Sequence, residues 1–148
     1  MRRVVLDTNV LVSALWSKQG NPYKIVEMIF ANKVTPYLNG EIIEEYCEVL
    51  FRDKLRLPKD KVFSLLQEIT KNSIFVQNKE LANLKINIEH KTKFCAESVL
   101  SKVLFTDESD RKFYDTAKSN EAILITGNKK HFPDESFILS PFEFLQKQ

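Results

Sequence analysis

Glycine and proline are scarce in this 148-residue chain, with 3 and 5 copies, and cysteine occurs only twice. Each scarcity closes off a class of protein. So few glycines and prolines leave no room for long linker-like or low-complexity stretches. Cys47 and Cys95 lie far apart and outside any paired motif, so no disulfide framework is expected. Cys47 falls in an apolar helical pattern and reads as a reduced core thiol. Neither cysteine stands near His90 or His131 at a zinc-ligand spacing, which argues against a structural zinc site. Long apolar runs are also missing. The longest are strand-sized, Val4-Val5-Leu6 and Ala122-Ile123-Leu124-Ile125, far below the roughly 20 residues of a membrane-crossing helix. Met1-Arg2-Arg3 passes straight into a strand with no apolar leader, so a cytoplasmic location and no membrane contact are expected. An excess of one charge is lacking too: 22 basic against 20 acidic residues leave +2, too balanced to declare a nucleic-acid partner.

What is present suits one ordinary domain spanning residues 1–148, at 43% hydrophobic and 28% charged. Arg2–Asp7 reads as a buried strand ending on a carboxylate, and Asn9–Trp16 as a helix. Asn21-Pro22 opens a second helix, in which Tyr23, Ile25, Val26, Ile29 and Phe30 recur at helical spacing. Val34–Leu38 reads as a strand, and Asn39 or Gly40 caps the helix Glu41–Phe51. Residues 59–71 suit a helix with Val62, Leu65, Leu66 and Ile69 as its stripe, and Ser73–Gln77 a strand. Residues 79–105 read as a divergent or inserted segment with some helical content. Asp107–Asn120 then reads as a helix, Ala122–Thr126 and Phe137–Ser140 as strands, and Pro141–Gln146 as a closing helix with proline at its first position. Strands alternating with helices predict an α/β fold with a central, mostly parallel sheet covered on both faces. Trp16 and the phenylalanines are expected in the core rather than as base-stacking platforms.

In such sheets ligands bind outside the carboxyl ends of the strands. Asp7 and the Thr126-Gly127-Asn128 turn both fall there. A carboxylate ending an apolar strand needs a cation or donors, or else it caps the next helix, and both readings of Asp7 stand open. Among Glu41, Glu44, Glu45 and Glu48, helical projection puts Glu45 roughly 90° from the centre of the apolar face and Glu44 opposite it. Glu45 is therefore the glutamate placed to reach along the edge of the core, a solvated helix face for all four being the other reading. Asp110 projects with Phe113, Tyr114 and Ala117 toward the interior, while Asp115 points outward. Asp107 with Asp110 three residues on also fits a capping-box arrangement, compatible with an inward role for Asp110. Three converging carboxylates repel one another unless a cation neutralises them, and hard oxygen ligands suit Mg²⁺ or Mn²⁺. A metal so placed favours phosphodiester hydrolysis.

The residues that carry this chemistry resemble a known family. Leu6-Asp7-Thr8-Asn9-Val10-Leu11 is similar to the opening motif of PIN-domain nucleases. The segment from Gly40 to Leu55 resembles their second motif, with its glutamate on Glu45. The segment from Asp107 to Pro133 resembles the third and fourth, with Asp110 and the turn Thr126-Gly127-Asn128. The closing Ile138–Leu145 resembles the VapC-like branch of toxin components of toxin–antitoxin systems. The resemblance covers nearly the whole chain in order. It implies a three-layer α/β/α PIN-like domain and an endoribonuclease dependent on Mg²⁺ or Mn²⁺. Such enzymes are usually homodimeric and often neutralised by a small antitoxin protein. Asp7, Glu45 and Asp110 would be catalytic metal ligands, with Asp107 a further candidate. Asn128 departs from the pattern, since many relatives carry an aspartate there, and a scaffold that binds RNA or a protein without catalysis is the alternative. A phosphotransferase or receiver-type domain ranks lower, because Asp7-Thr8-Asn9 lacks a second acid. Supporting roles are expected for Thr8 and Asn9, beside Asp7, and for Thr126 and Asn128; Thr8 and Asn9 could equally just satisfy the first helical turn. Lys129, Lys130 and Arg52 are candidates for holding the RNA backbone, with Lys54, Arg56 and His131 in the same clusters. His131 reads as a turn residue beside Phe132 and Pro133 rather than a general base.

Overall fold

The computed structural model describes residues 2–76 and 110–147. Five parallel strands form one sheet in the order β3-β2-β1-β4-β5: β1 (Arg2–Leu6), β2 (Val34–Leu38), β3 (Ile74–Phe75), β4 (Ile123–Ile125) and β5 (Ile138–Leu139). The central strand is β1, whose Val4, Val5 and Leu6 are all buried, as expected of a parallel strand covered on both faces. From β1 the chain builds outward through β2 to β3, then returns to the opposite side of β1 for β4 and β5. The order reverses between β1 and β4. That is the switch point at which such sheets open a crevice.

The helices are α1 (Thr8–Trp16), α2 (Asn21–Phe30), α3 (Gly40–Leu50), α4 (Lys59–Lys71), α5 (Arg111–Ser119) and α6 (Pro141–Gln146). They complete an α/β/α fold: α3 packs on α5, which lies against β1, β2 and β4, while α2 packs on α1, α4 and α6. Local chemistry sets their ends. Asn39 Oδ1 accepts from the Ile42 amide at 2.9 Å and starts α3. Ser140 and Glu143 form a reciprocal capping box on α6, and Pro22 lies in the first turn of α2. The α4 stripe is buried at Val62, Leu65, Leu66 and Ile69, as its spacing predicts.

Tertiary ties aim α3 and α5 at the end of β1. The Tyr46 hydroxyl donates to the Leu6 carbonyl at 2.5 Å, and its ring stacks on Phe113 with centroids 6.3 Å apart. Asn39 Nδ2 donates to Thr116 Oγ1 at 2.8 Å, joining the start of α3 to α5.

Several expectations require correction. Trp16 is not core: it ends α1 beyond the sheet layer, is 62% exposed, and its indole N–H reaches the Leu55 carbonyl at 3.5 Å. Phe113 and Phe144 are buried, but Phe30, Phe51, Phe63, Phe75 and Phe142 are exposed. Cys47 is exposed rather than a core thiol, because the buried stripe of α3 runs through Ile42, Tyr46 and Leu50 and leaves Cys47 on its flank. Of the strand expected over Ser73–Gln77, Ile74–Phe75 forms β3, and Gln77 lies outside the described residues. Residues 79–105 and Asp107 lie outside the described residues. No helix among the described residues is long and apolar enough to cross a membrane.

Candidate active site

Adjacent parallel strands bring Asp7 and Thr126 together across the switch point, since Leu6 of β1 pairs with Ile125 of β4. The Asp7 amide donates to the Ile125 carbonyl at 3.0 Å. The Thr126 hydroxyl donates to Asp7 Oδ2 at 2.7 Å and in turn accepts from the Asn128 amide at 3.0 Å. Asp7 holds the N-cap position of α1 but makes no side-chain cap bond, so its carboxylate is turned to the site rather than spent on the helix. It is only 6% exposed, and burial pushes its carboxyl from 3.8 up to about 6. The Thr126 hydroxyl and the Thr8 amide oppose that shift, while the charges of Asp110 and Glu45 add to it.

Glu45 arrives from α3, where Tyr46 anchors the helix to β1. Both of its oxygens are engaged. Oε2 accepts a short hydrogen bond from the Thr8 hydroxyl, and Oε1 meets the Lys112 ammonium at 2.6 Å. The side chains of this pair are 12% and 4% exposed, for Glu45 and Lys112 respectively. Asp110 occupies the N-cap position of α5 without a cap bond, and His131 Nδ1 lies 3.3 Å from its Oδ2. Burial and then the Glu45 charge raise the Asp110 carboxyl, against His131 and Lys112. Tyr46 stays a neutral donor, because burial and the charges of Asp7 and Glu45 push its phenol well above 10. Asp7, Glu45 and Asp110 therefore lie within electrostatic reach of one another at the carboxyl end of the sheet.

Comparison with known proteins bears on this arrangement. Residues 3–130 match the PIN domain. The chain belongs to the PIN domain family. An uncharacterized protein of Methanocaldococcus jannaschii, MJ1680, is 30% identical over 130 residues, covering 86% of this chain and 71% of that protein. No solved structure matches significantly. The PIN fold is nuclease-like.

Of the supporting residues, Thr8 turns its hydroxyl to Glu45 and not to Asp7, and Asn9 Oδ1 accepts from the Gly127 amide at 3.2 Å, tying the Thr126-Gly127-Asn128 (TGN) turn to α1. Asn128 is exposed at the rim. Of the cationic candidates, Lys129 pairs with Glu143 at 3.0 Å and Arg52 with Glu48 at 3.1 Å, while Lys130 is exposed. His131 is exposed as a turn residue, but its contact with Asp110 brings it to the edge of the acidic cluster.

Sequence reading passed over Lys112. The buried face of α5 is Lys112, Phe113, Thr116 and Ala117, rather than one carrying Tyr114, which is half-buried and donates to Glu135 at 2.6 Å. Continuing the Phe113–Thr116–Ala117 stripe back one turn lands on Lys112, and a lysine on an apolar stripe signals a buried acid nearby.

Three carboxylates, of which Asp7 and Asp110 pair with no lysine or arginine among the described residues, have the chemistry of a hard divalent ion's site. No group of three or more His, Cys, Asp or Glu side chains among the described residues converges closely enough to hold an ion by itself. The chemistry fits, and the third acid is held by Lys112.

Proposed function

We propose that this chain is a metal-dependent endoribonuclease that hydrolyses phosphodiester bonds of RNA, and that it serves as the toxin of a VapC-like toxin–antitoxin pair. One observation carries the reading. Asp7 is buried at the switch point with no lysine or arginine partner among the described residues, within electrostatic reach of Glu45 and Asp110, in a chain of the PIN family. Burying a carboxylate so costs stability, and a cation at that point offsets the cost.

Mg²⁺ or Mn²⁺ suits oxygen donors that leave room for water and phosphate, and when bound it activates water and offsets charge on the leaving oxygen. Asp7, Glu45 and Asp110 form the acidic centre that holds it. Thr126 keeps Asp7 turned into the site, Thr8 and Lys112 keep Glu45 in place, and the Asn9–Gly127 bond keeps the TGN turn against α1. Lys130 is an exposed cation beside that turn, suited to the RNA backbone. A homodimer, a small antitoxin partner and a cytoplasmic location belong to the same reading.

A catalytically impaired scaffold that binds RNA or a protein partner is the second reading. It is favoured by the neutral amide of Asn128 and by the hold of Lys112 on Glu45. Incubating the full chain with single-stranded RNA and Mn²⁺ or Mg²⁺ separates the two. The nuclease reading expects cleavage that a chelator abolishes and that Asp110→Ala slows at least about a hundredfold. If Asp110→Ala cleaves as fast as wild type, the assigned site is wrong; metal-independent RNA binding without cleavage supports the scaffold.

A further inference from the structure

We propose that Lys112 is a positioning residue that serves as the resident cation of the acidic centre, reserving Glu45 for itself and leaving Asp7 and Asp110 as the carboxylates that bond a divalent ion directly. The inference rests on the reading of this centre as a metal site and refines which side chains touch the ion. Its first support is occupancy. Glu45 gives one oxygen to the Lys112 ammonium at 2.6 Å and the other to the Thr8 hydroxyl, so neither faces the centre unengaged. Its second is burial. With a side chain 4% exposed, Lys112 cannot turn to water if Glu45 leaves it, and a buried cation without a partner is strongly unfavourable. The pair therefore resists opening. Thirdly, Asp7 Oδ2 meets the Thr126 hydroxyl and Asp110 Oδ2 meets His131, and neither acid has a lysine or arginine partner among the described residues.

Charge arithmetic gives the proposal its test. The carboxylates of Asp7, Glu45 and Asp110 with one ammonium leave two negative charges, which one divalent ion neutralises. On this account affinity follows net charge, and replacing the whole ion pair by neutral isosteres leaves it nearly unchanged. If Glu45 were itself a ligand, replacing the pair would remove a bond to the metal.

Calorimetric titration of the full chain with MnCl₂ at mildly alkaline pH, where imidazoles are neutral, distinguishes these cases. Lys112→Met is expected to bind Mn²⁺ about tenfold more tightly than wild type, and Glu45→Gln about tenfold more weakly. The Lys112→Met/Glu45→Gln double variant is expected to return to within about threefold of wild type. Glu45→Gln alone strands a buried cation and risks misfolding. The double variant carries no stranded charge, and circular dichroism verifies its fold. A folded double variant at least about thirtyfold weaker than wild type overturns the inference by making Glu45 a ligand. Unchanged affinity in Lys112→Met overturns it as well. Either result leaves the metal reading standing if wild type binds Mn²⁺. Absence of Mn²⁺ binding in wild type and in every variant removes both.

Discussion

At the scale of single residues, the site is a set of acids kept where acids are costly. Asp7 shows the cost most directly, because its carboxyl is raised from 3.8 to about 6 and it is almost fully buried. The folded state thus binds the Asp7 proton more tightly than the unfolded state does. Above about pH 6 the charged carboxylate subtracts stability, and the penalty fades as pH falls through the window from about 6 to 3.8. The shift corresponds to about 3 kcal/mol at most. Asp7→Asn keeps an acceptor for Thr126 and removes the charge. In metal-free protein it is therefore expected to gain about 1–3 kcal/mol at neutral pH and almost nothing near pH 4. Urea unfolding at the two pH values measures this, and a loss of stability at neutral pH would show that the carboxylate is not strained. The aspartate at the end of β1 was legible in sequence as a chemical anomaly. Its partner was not: the Thr8 hydroxyl beside it in the chain serves Glu45, and the Thr126 hydroxyl, remote in sequence, serves Asp7.

At the scale of elements, the site depends on how α3 and α5 are hung on β1. Tyr46 fixes α3 to the Leu6 carbonyl, Phe113 stacks on Tyr46, and Asn39 bridges the start of α3 to Thr116 of α5. Asn39 does two jobs, accepting from the Ile42 amide and donating to Thr116, and it is buried. Asn39→Ala loses the cap and leaves the Thr116 hydroxyl without its donor, so thermal or urea unfolding is expected to show about 2–3 kcal/mol of destabilisation. A change below about 0.5 kcal/mol would mean that the bridge contributes nothing net. The positions of α2, α3 and α4 and most of their stripes were legible because apolar periodicity is a property of a dozen consecutive residues, although Phe30, read into the α2 stripe, is exposed. The face of α5 was misread in part. Its first turn mixes charged and aromatic side chains, and Lys112, one turn before Thr116 on the buried stripe, pairs inward with Glu45.

At the scale of the whole molecule, strand order creates the site. Asp7 and Thr126 are 119 residues apart and meet only because β4 returns to the side of β1 opposite β2. If the acidic centre holds a divalent ion, the ion binds the folded chain and not the unfolded one. Mn²⁺ at about a hundred times its dissociation constant is then expected to add about 2.7 kcal/mol of stability. A thermal melt with and without Mn²⁺ measures this, with Asp7→Asn expected to lose most of the gain; equal melting temperatures for wild type in both conditions would count against a metal centre. By itself the sequence determined the alternation of strands and helices, the carboxylate at the end of β1, the inward glutamate of α3 and the capping of α3 and α6. All of these follow from local spacing and side-chain chemistry. Only the tertiary structure decided that Lys112 claims Glu45, that Asn9 ties down the TGN turn, and that Trp16 and Cys47 face outward. The physical reason is that periodicity tells which side of an element is apolar, whereas the identity of what lies against that side is set by sheet order and helix packing across the whole chain.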